Sequence, residues 1–308
     1  MNSLIFIAIF LLVLFIYIHV VQQFKRSEDL EIYEMDYQNN AQLQDVCDLK
    51  QPVLFEFNSP GFSNLSINFL ESKYGSDEVR VFNTGDYWSL SGDTPDYIVV
   101  PLSNAKKLCS RKEGDYVSEN NHEFVDETGN TKLFRTMDEW FKPGFTVQTK
   151  YDIMFGSNGA VMPMRYHTNY RYFMAVTSGK IRVKMSPWKT RKYLHPIADY
   201  DNYEFRSPVN VWSPQDKYLN DMDKAKFLEF DVLAGHVLYI PPYWFYSIKY
   251  SEDTCVCGIT YVSAMNFVAN LPNTGLFFIQ QQNITRKPVK TMVPLDNNLD
   301  DNENPISI

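Results

Sequence analysis

A mainly β fold with flanking helices, preceded by one N-terminal transmembrane helix, is what the sequence predicts, and three observations carry that expectation. Residues 4–21, "LIFIAIFLLVLFIYIHVV", hold no formal charge unless His19 is protonated, and at about 1.5 Å per residue they nearly span a hydrocarbon core. The chain holds 20 Tyr and 22 Phe against only 13 Gly, a balance that suits pleated, half-buried surfaces. Past residue 145, runs such as "RYFMAVTSGKIRVKMSPW", "FLEFDVLAGHVLYIPPYWFYSIKY" and "TCVCGITYVS" alternate strand with turn, as strands of a sandwich or barrel do.

Taken in order, residues 1–24 read as the membrane anchor. A cleaved signal peptide would want a basic leader, a shorter apolar run and a small-residue cleavage site, and "HVVQQFKRSED" offers none of them. Lys25 and Arg26 follow the span while only the amino terminus precedes it, which places the large domain on the cytoplasmic side. Residues 25–45 read as an acidic juxtamembrane spacer or short helix, and the folded part is expected over residues 46–285. Within it "QPVLFEF" and "EVRVF" are expected as strands, "GFSNLSINFLESKYG" as a helix closed by Gly75, and "DYIVVPLSNAKKLC" as a strand entering a helix. "AMNFVANLPNTGLFFIQQQ" has a helical pattern broken near Pro272, and residues 286–308 read as a disordered acidic tail.

Composition excludes several classes of function. A formal net charge of -8 argues against generic nucleic-acid binding. Cys47, Cys109, Cys255 and Cys257 are too scattered for a disulfide scaffold, and Cys255 and Cys257, sharing a strand face, read as small buried hydrophobes. Sequons at Asn64 and Asn283 matter only if the topology is reversed. No nucleophile-elbow, P-loop, zincin or dinucleotide-binding pattern is present.

The segment "GHVLYIPPYWFYSIKY", residues 235–250, leads from a Gly turn through a strand and an Ile-Pro turn to Trp244. It resembles the segment of JmjC-like and cupin-like double-stranded β-helix (jelly-roll) proteins in which Trp, any residue and a metal-binding His follow that turn. "KQPVLFEF" with "FLESKYGSDEVRVFN" resembles the family's N-terminal extension, and "MRYHTNYRYFMAVTSGKIRVKMSPW" its first-His strand pair. The flavour of "VLYIPPYWFYSIKY" and "QQQN" is also similar to cupin-like proteins of large nucleocytoplasmic DNA viruses, which implies a virion or host internal membrane.

The resemblance implies a site to check residue by residue. Active members hold Fe(II) with two His and one carboxylate, leaving open positions for 2-oxoglutarate and oxygen. Tyr246 stands where the second His belongs, and Asn169 stands two residues after His167, where the carboxylate belongs. Residues 153–198 contain no Asp or Glu. His236, in the turn, reads as a surface residue and not as a replacement ligand. Arg182 is the positional match for the basic residue that anchors 2-oxoglutarate, although Lys180, Arg182 and Lys184 share one strand face that reads as solvated. The expectation is a catalytically inactive module with a binding or structural role and no cofactor. Its degenerate pocket would comprise His167, Asn169, Arg182, Trp244 and Tyr246. The alternatives are a small ligand in the metal-free barrel, or an Fe(II)/2-oxoglutarate oxygenase with atypical ligation. Residues 165–192 hold eight basic residues and no acidic one, and Arg165, Arg171, Lys180 and Lys184 are the candidates there for an anionic partner, a lipid headgroup or protein.

Overall fold

The computed structural model describes residues 2–59, 61–89, 97–111, 115–200, 202–283 and 290–291. It opens on helix α1 (Asn2–Gln23), whose residues 4–23 are apolar and long enough to cross a membrane. Next come β1 (Tyr33–Met35), α2 (Asn40–Cys47), β2 (Val53–Glu56), α3 (Ile67–Tyr74), β3 (Glu78–Asn83) and α4 (Thr84–Ser89). The first half ends with β4 (Ile98–Pro101), α5 (Leu102–Cys109), β5 (Tyr116–Ser118), α6 (His122–Glu127) and α7 (Thr131–Phe141). The strand-rich half holds β6 (Thr146–Gly156), β7 (Arg165–Tyr166), β8 (Arg171–Ser178), β9 (Lys180–Ser186), α8 (Arg191–Leu194), β10 (Ile197–Asp199) and β11 (Glu204–Arg206). It continues with α9 (Leu219–Met222), β12 (Leu228–Leu233), β13 (His236–Ile240), β14 (Phe245–Tyr250) and β15 (Cys255–Ser263). Helices α10 (Ala264–Ala269) and α11 (Leu271–Asn283) and the short β16 (Lys290–Thr291) complete the chain.

The strands form two sheets. One runs β1-β2-β13-β8-β15-β6-β5-β3-β4-β16 and the other β10-β11-β7-β14-β9-β12. The chain changes sheet on either side of β7, between β8 and β9, between β12 and β13, and again on either side of β14, the alternation that builds a jelly roll. Because side chains alternate along a strand, each central strand serves two cores. Phe173, Ala175, Val237, Tyr239, Cys255, Cys257, Ile259 and Tyr261 face the helix layer, where they meet Leu43, Phe134 and Phe141. Met174, Val176, Leu238, Ile240 and Val256 face the second sheet and meet Ile181, Val183, Trp244, Tyr246 and Ile248.

Two glycines are required by close approach. Gly235, between β12 and β13, has φ +83°, and a Cβ there would lie 2.4 Å from Asn58 Oδ1. Gly75 ends α3 in right-handed backbone, where a Cβ would meet Glu71 O at 2.7 Å. The helix expected from residue 61 is split: a 3₁₀ turn, Phe62–Leu65, precedes α3, with Ser66 extended between them (ψ 147°).

The expected domain boundaries shift at both ends. Residues 25–45 are not a free spacer, since β1 pairs in parallel with β2 and α2 buries Leu43 and Cys47 in the main core. Of the acidic tail only Lys290 and Thr291 lie among the described residues, and they pair in parallel with Ile98 and Val99. The remainder lies outside them.

Candidate functional site

Strand β7 sits between β11 and β14, so Arg165 lies opposite both Arg206 and Tyr246. His167 follows directly. The turn "PPYW" reaches back to it, with Tyr243 in left-handed backbone (φ +65°) donating its N–H to His167 O at 2.9 Å. His167 Nε2 contacts Ile240 O at 3.0 Å. A carbonyl only accepts, so Nε2 carries the proton and Nδ1 is left with a lone pair that has no hydrogen-bond partner. The imidazole lies 5.2 Å from the Tyr172 ring and 6.3 Å from the Tyr246 ring, and those two rings are 6.0 Å apart. The structure therefore brings His167 and Tyr246 together.

Beside these rings is a buried ionic network that links the two sheets. Arg165 bonds the Glu119 carboxylate and lies 3.6 Å from Glu204. Glu204 is also paired with Arg206, whose other nitrogen is 3.5 Å from Asp199. Tyr97 donates to Glu119 at 3.0 Å, and the Asn120 amide donates to Glu204 at 3.0 Å and to the Tyr97 hydroxyl at 3.1 Å. Burial opposes the charge on Arg165, but Glu119, Tyr246 and Glu204 outweigh it and raise its pKa. Burial likewise opposes charge on Glu204, and Arg206 and Arg165 outweigh it and lower its pKa. The Arg165 guanidinium stands 5.7 Å from the centre of the Tyr246 ring. Burial raises the pKa of that phenol, so Tyr246 is neutral near pH 7.

The residues expected in one pocket do not all meet. Arg182 belongs outside it: the side chain is 57% exposed and bonds Glu229 at 2.7 Å on the neighbouring β12. Lys180 pairs with Asp231 at 3.4 Å and Lys184 with Glu229 at 3.4 Å, so the cationic face of β9 is answered by the acidic face of β12. Arg171 is fully buried and bonds Asp48 at 2.5 Å and Gln44 at 2.9 Å. With Arg165 also paired internally, the four cations expected to hold an anionic partner are taken up by this chain's own carboxylates. Asn169 lies in the connection after β7 and not on a strand face with His167. Trp244 is wholly buried and donates Nε1–H to Lys50 O at 3.1 Å, which ties the turn to the N-terminal extension. His236 opens β13 opposite Glu56, half-buried and not in a surface turn.

Sequence reasoning missed Glu119, Glu204 and Arg206. The search for a carboxylate near His167 followed the chain locally, whereas these carboxylates arrive from the end of β5 and from β11. The run "YEFRS" carried an alternating charge pattern at a strand, the one local signal available.

The donor set does not fit a two-histidine, one-carboxylate iron centre. His167 offers one imidazole, Asn169 an amide and Tyr246 a neutral phenol, a poor ligand for Fe(II). Among the described residues no group of three His, Cys, Asp or Glu comes together that could hold a metal ion.

His167 has a measurable consequence. Burial, opposed by the bond to Ile240 and assisted by Arg165, pulls its pKa from 6.5 down to about 4. The unfolded chain therefore takes the proton first, and the stability contributed by the neutral ring is complete above about pH 6.5 and lost as the pH falls toward about 4. His167→Gln retains an amide donor for Ile240 O and has no such titration. Its stability deficit relative to wild type should shift in the variant's favour by about 2 kcal/mol between about pH 7 and pH 4, allowing for the ring's partial exposure. Urea denaturation in detergent at both pH values measures this, and a constant difference would show that the imidazole is not held neutral.

Comparison with known families and proteins gives two findings. The family model described as "Cupin-like domain" matches residues 39–266. No curated protein matches the chain.

Proposed function

Because the chain belongs to the cupin-like domain family, we propose that it is a membrane-anchored member without an iron centre, and that it acts by binding, in a structural or interaction role. The observation that carries this reading is Tyr246. The position that would offer iron its second imidazole holds a neutral phenol beside Arg165, and Arg165 is neutralised by Glu119 and Glu204. Met174, Met185, Ile181, Val183 and Ile248, each fully buried, pack around the same interior, where active members would need open coordination positions.

Helix α1 supports anchoring by its length and exposure, with Lys25 and Arg26 favouring a cytoplasmic-side domain. The resemblance to viral cupin-like proteins favours a virion or host internal membrane. One observation favours the reading in which a small ligand occupies the barrel: the unpartnered Nδ1 of His167, whose ring lies beside those of Tyr172 and Tyr246.

Metal content tests the proposal. Full-length protein purified anaerobically in detergent with Fe(II) should retain no stoichiometric iron and should not decarboxylate 2-oxoglutarate. One iron per chain with turnover would refute it. Protection of His167 by a co-purified small molecule would favour the ligand-filled barrel.

A further inference from the structure

Helix α1 is joined to the domain without a free tether. It packs beside α10, and the residues that follow it are seated at once on the β sandwich. Phe24 lies 6.5 Å from the Tyr243 ring, and the Arg26 guanidinium stands 4.3 Å from the ring centres of both Trp188 and Tyr243. Glu28 accepts the Lys189 backbone N–H at 3.0 Å. Burial lowers the Arg26 pKa, as expected of a cation enclosed between two aromatic faces. A helix of 22 residues is about 33 Å long, so a bilayer crossed by α1 meets the domain at α10.

Beyond its contact with α1, the surface around α10 is apolar and is left exposed by the described residues. Phe145, in the turn before β6, is 93% exposed and sits in left-handed backbone at φ +57°, while its carbonyl accepts the Ala264 N–H at 3.2 Å at the start of α10. A bulky residue in that backbone region with its ring in water is unfavourable on both counts within the chain. Phe267 and Val268 on α10 are exposed too. Helix α11 continues the surface. One side of it holds the domain, with Phe277 5.7 Å from Tyr203 and Asn273 accepting from the Tyr200 hydroxyl at 3.3 Å. At about 100° per residue Leu271, Phe278 and Ile279 share a different arc, and Phe278 and Ile279 are each 60% exposed.

We propose that this face is seated in the interfacial layer of the bilayer that α1 crosses, with Phe145, Phe267, Val268, Leu271, Phe278 and Ile279 entering the headgroup–acyl boundary. Apolar side chains at that depth leave water without needing a protein partner, as in interfacial helices, and aromatic rings favour the boundary layer. The bilayer is the occupant because α1 already brings it to α10. The inference rests on the reading of α1 as a membrane anchor. It adds that the domain has one fixed face toward the membrane.

Fluorescence quenching on full-length protein in phosphatidylcholine vesicles tests it. A bimane label goes on Phe278→Cys in a Cys109→Ser background, and in a second protein on Lys107→Cys, an exposed position of α5. A lipid carrying a nitroxide near the headgroup should quench position 278 several-fold more than position 107, and aqueous iodide should do the reverse. Alkaline carbonate extraction reports separately on α1. If the protein resists carbonate while both positions respond alike, α1 is an anchor and the docked face is overturned. If carbonate strips the protein and position 278 responds as position 107 does, both readings fall. Lipid quenching at 278 in protein that carbonate removes would refute the anchor and, with it, a face docked beside a crossing helix, leaving a peripheral contact in its place. Position 278 shielded from iodide yet out of reach of the lipid nitroxide means that a second copy covers the face, which also overturns the proposal.

Discussion

Arg165→Met should destabilise the protein by about 3–5 kcal/mol, because it strands the buried Glu119 carboxylate without its cation and leaves Glu204 with Arg206 alone. Glu119 and Glu204 are both nearly covered, with side-chain exposures of 2% and 13%, and Arg206 reaches Glu204 but not Glu119. The double variant Arg165→Met with Glu119→Gln should recover a substantial part of that loss, since the amide can still accept from the Tyr97 hydroxyl and no longer carries an unpaired charge. Urea denaturation of detergent-solubilised protein followed by tryptophan fluorescence gives both numbers. A loss under about 1 kcal/mol would place the pair in the range of exposed ion pairs and dismiss the network as the link between the sheets.

Trp244→Ala should cost about 3–5 kcal/mol, the range for a large aromatic removed from a closed core. The side chain has no exposed surface and its indole N–H is the donor to Lys50 O, so truncation opens a cavity and strands a buried carbonyl. Trp244→Phe separates the terms: it retains most of the volume and loses the donor, with an expected cost of about 1–3 kcal/mol. Equal losses for the two variants would mean that the hydrogen bond, and not the packing, anchors the turn to the N-terminal extension.

Both predictions concern residues that the sequence brought to notice for other reasons. Trp244 and Tyr246 were expected to line one interior, and both lie in the core between the sheets. Gly235 was expected at the turn, and its positive φ and the proximity of Asn58 explain why no side chain fits there. Cys255 and Cys257 were expected as small buried hydrophobes, and both face the helix layer. In each case the deciding term is local, because backbone period and turn geometry act over a few residues.

Charge was read less well. Eight cations without an acid in residues 153–198 suggested a surface for an external anion, yet Lys180, Arg182 and Lys184 meet Glu229 and Asp231 across the β9–β12 pairing. Arg171 meets Asp48, a residue 123 positions away. An electrostatic partner is set by distance in space, which falls off without regard to separation along the chain, so a window of sequence cannot count it. Strand β1 was not legible in that segment for a related reason: a three-residue strand such as Tyr33–Met35 has too little pattern of its own and exists because β2 offers an edge to pair with.

The sequence by itself determined the apolar N-terminal helix and the strand-and-turn grammar of the β-rich domain, with Tyr246 and Asn169, not a histidine and a carboxylate, as the residue types at those two positions. Those follow from residue type and short-range period. Only the tertiary structure decided what surrounds His167 and Tyr246, which cations remain free, and that the residues after α1 lie on the domain through Arg26. These depend on which side chains distant strands bring within a few ångströms of one another, and that is fixed by the pairing of whole sheets.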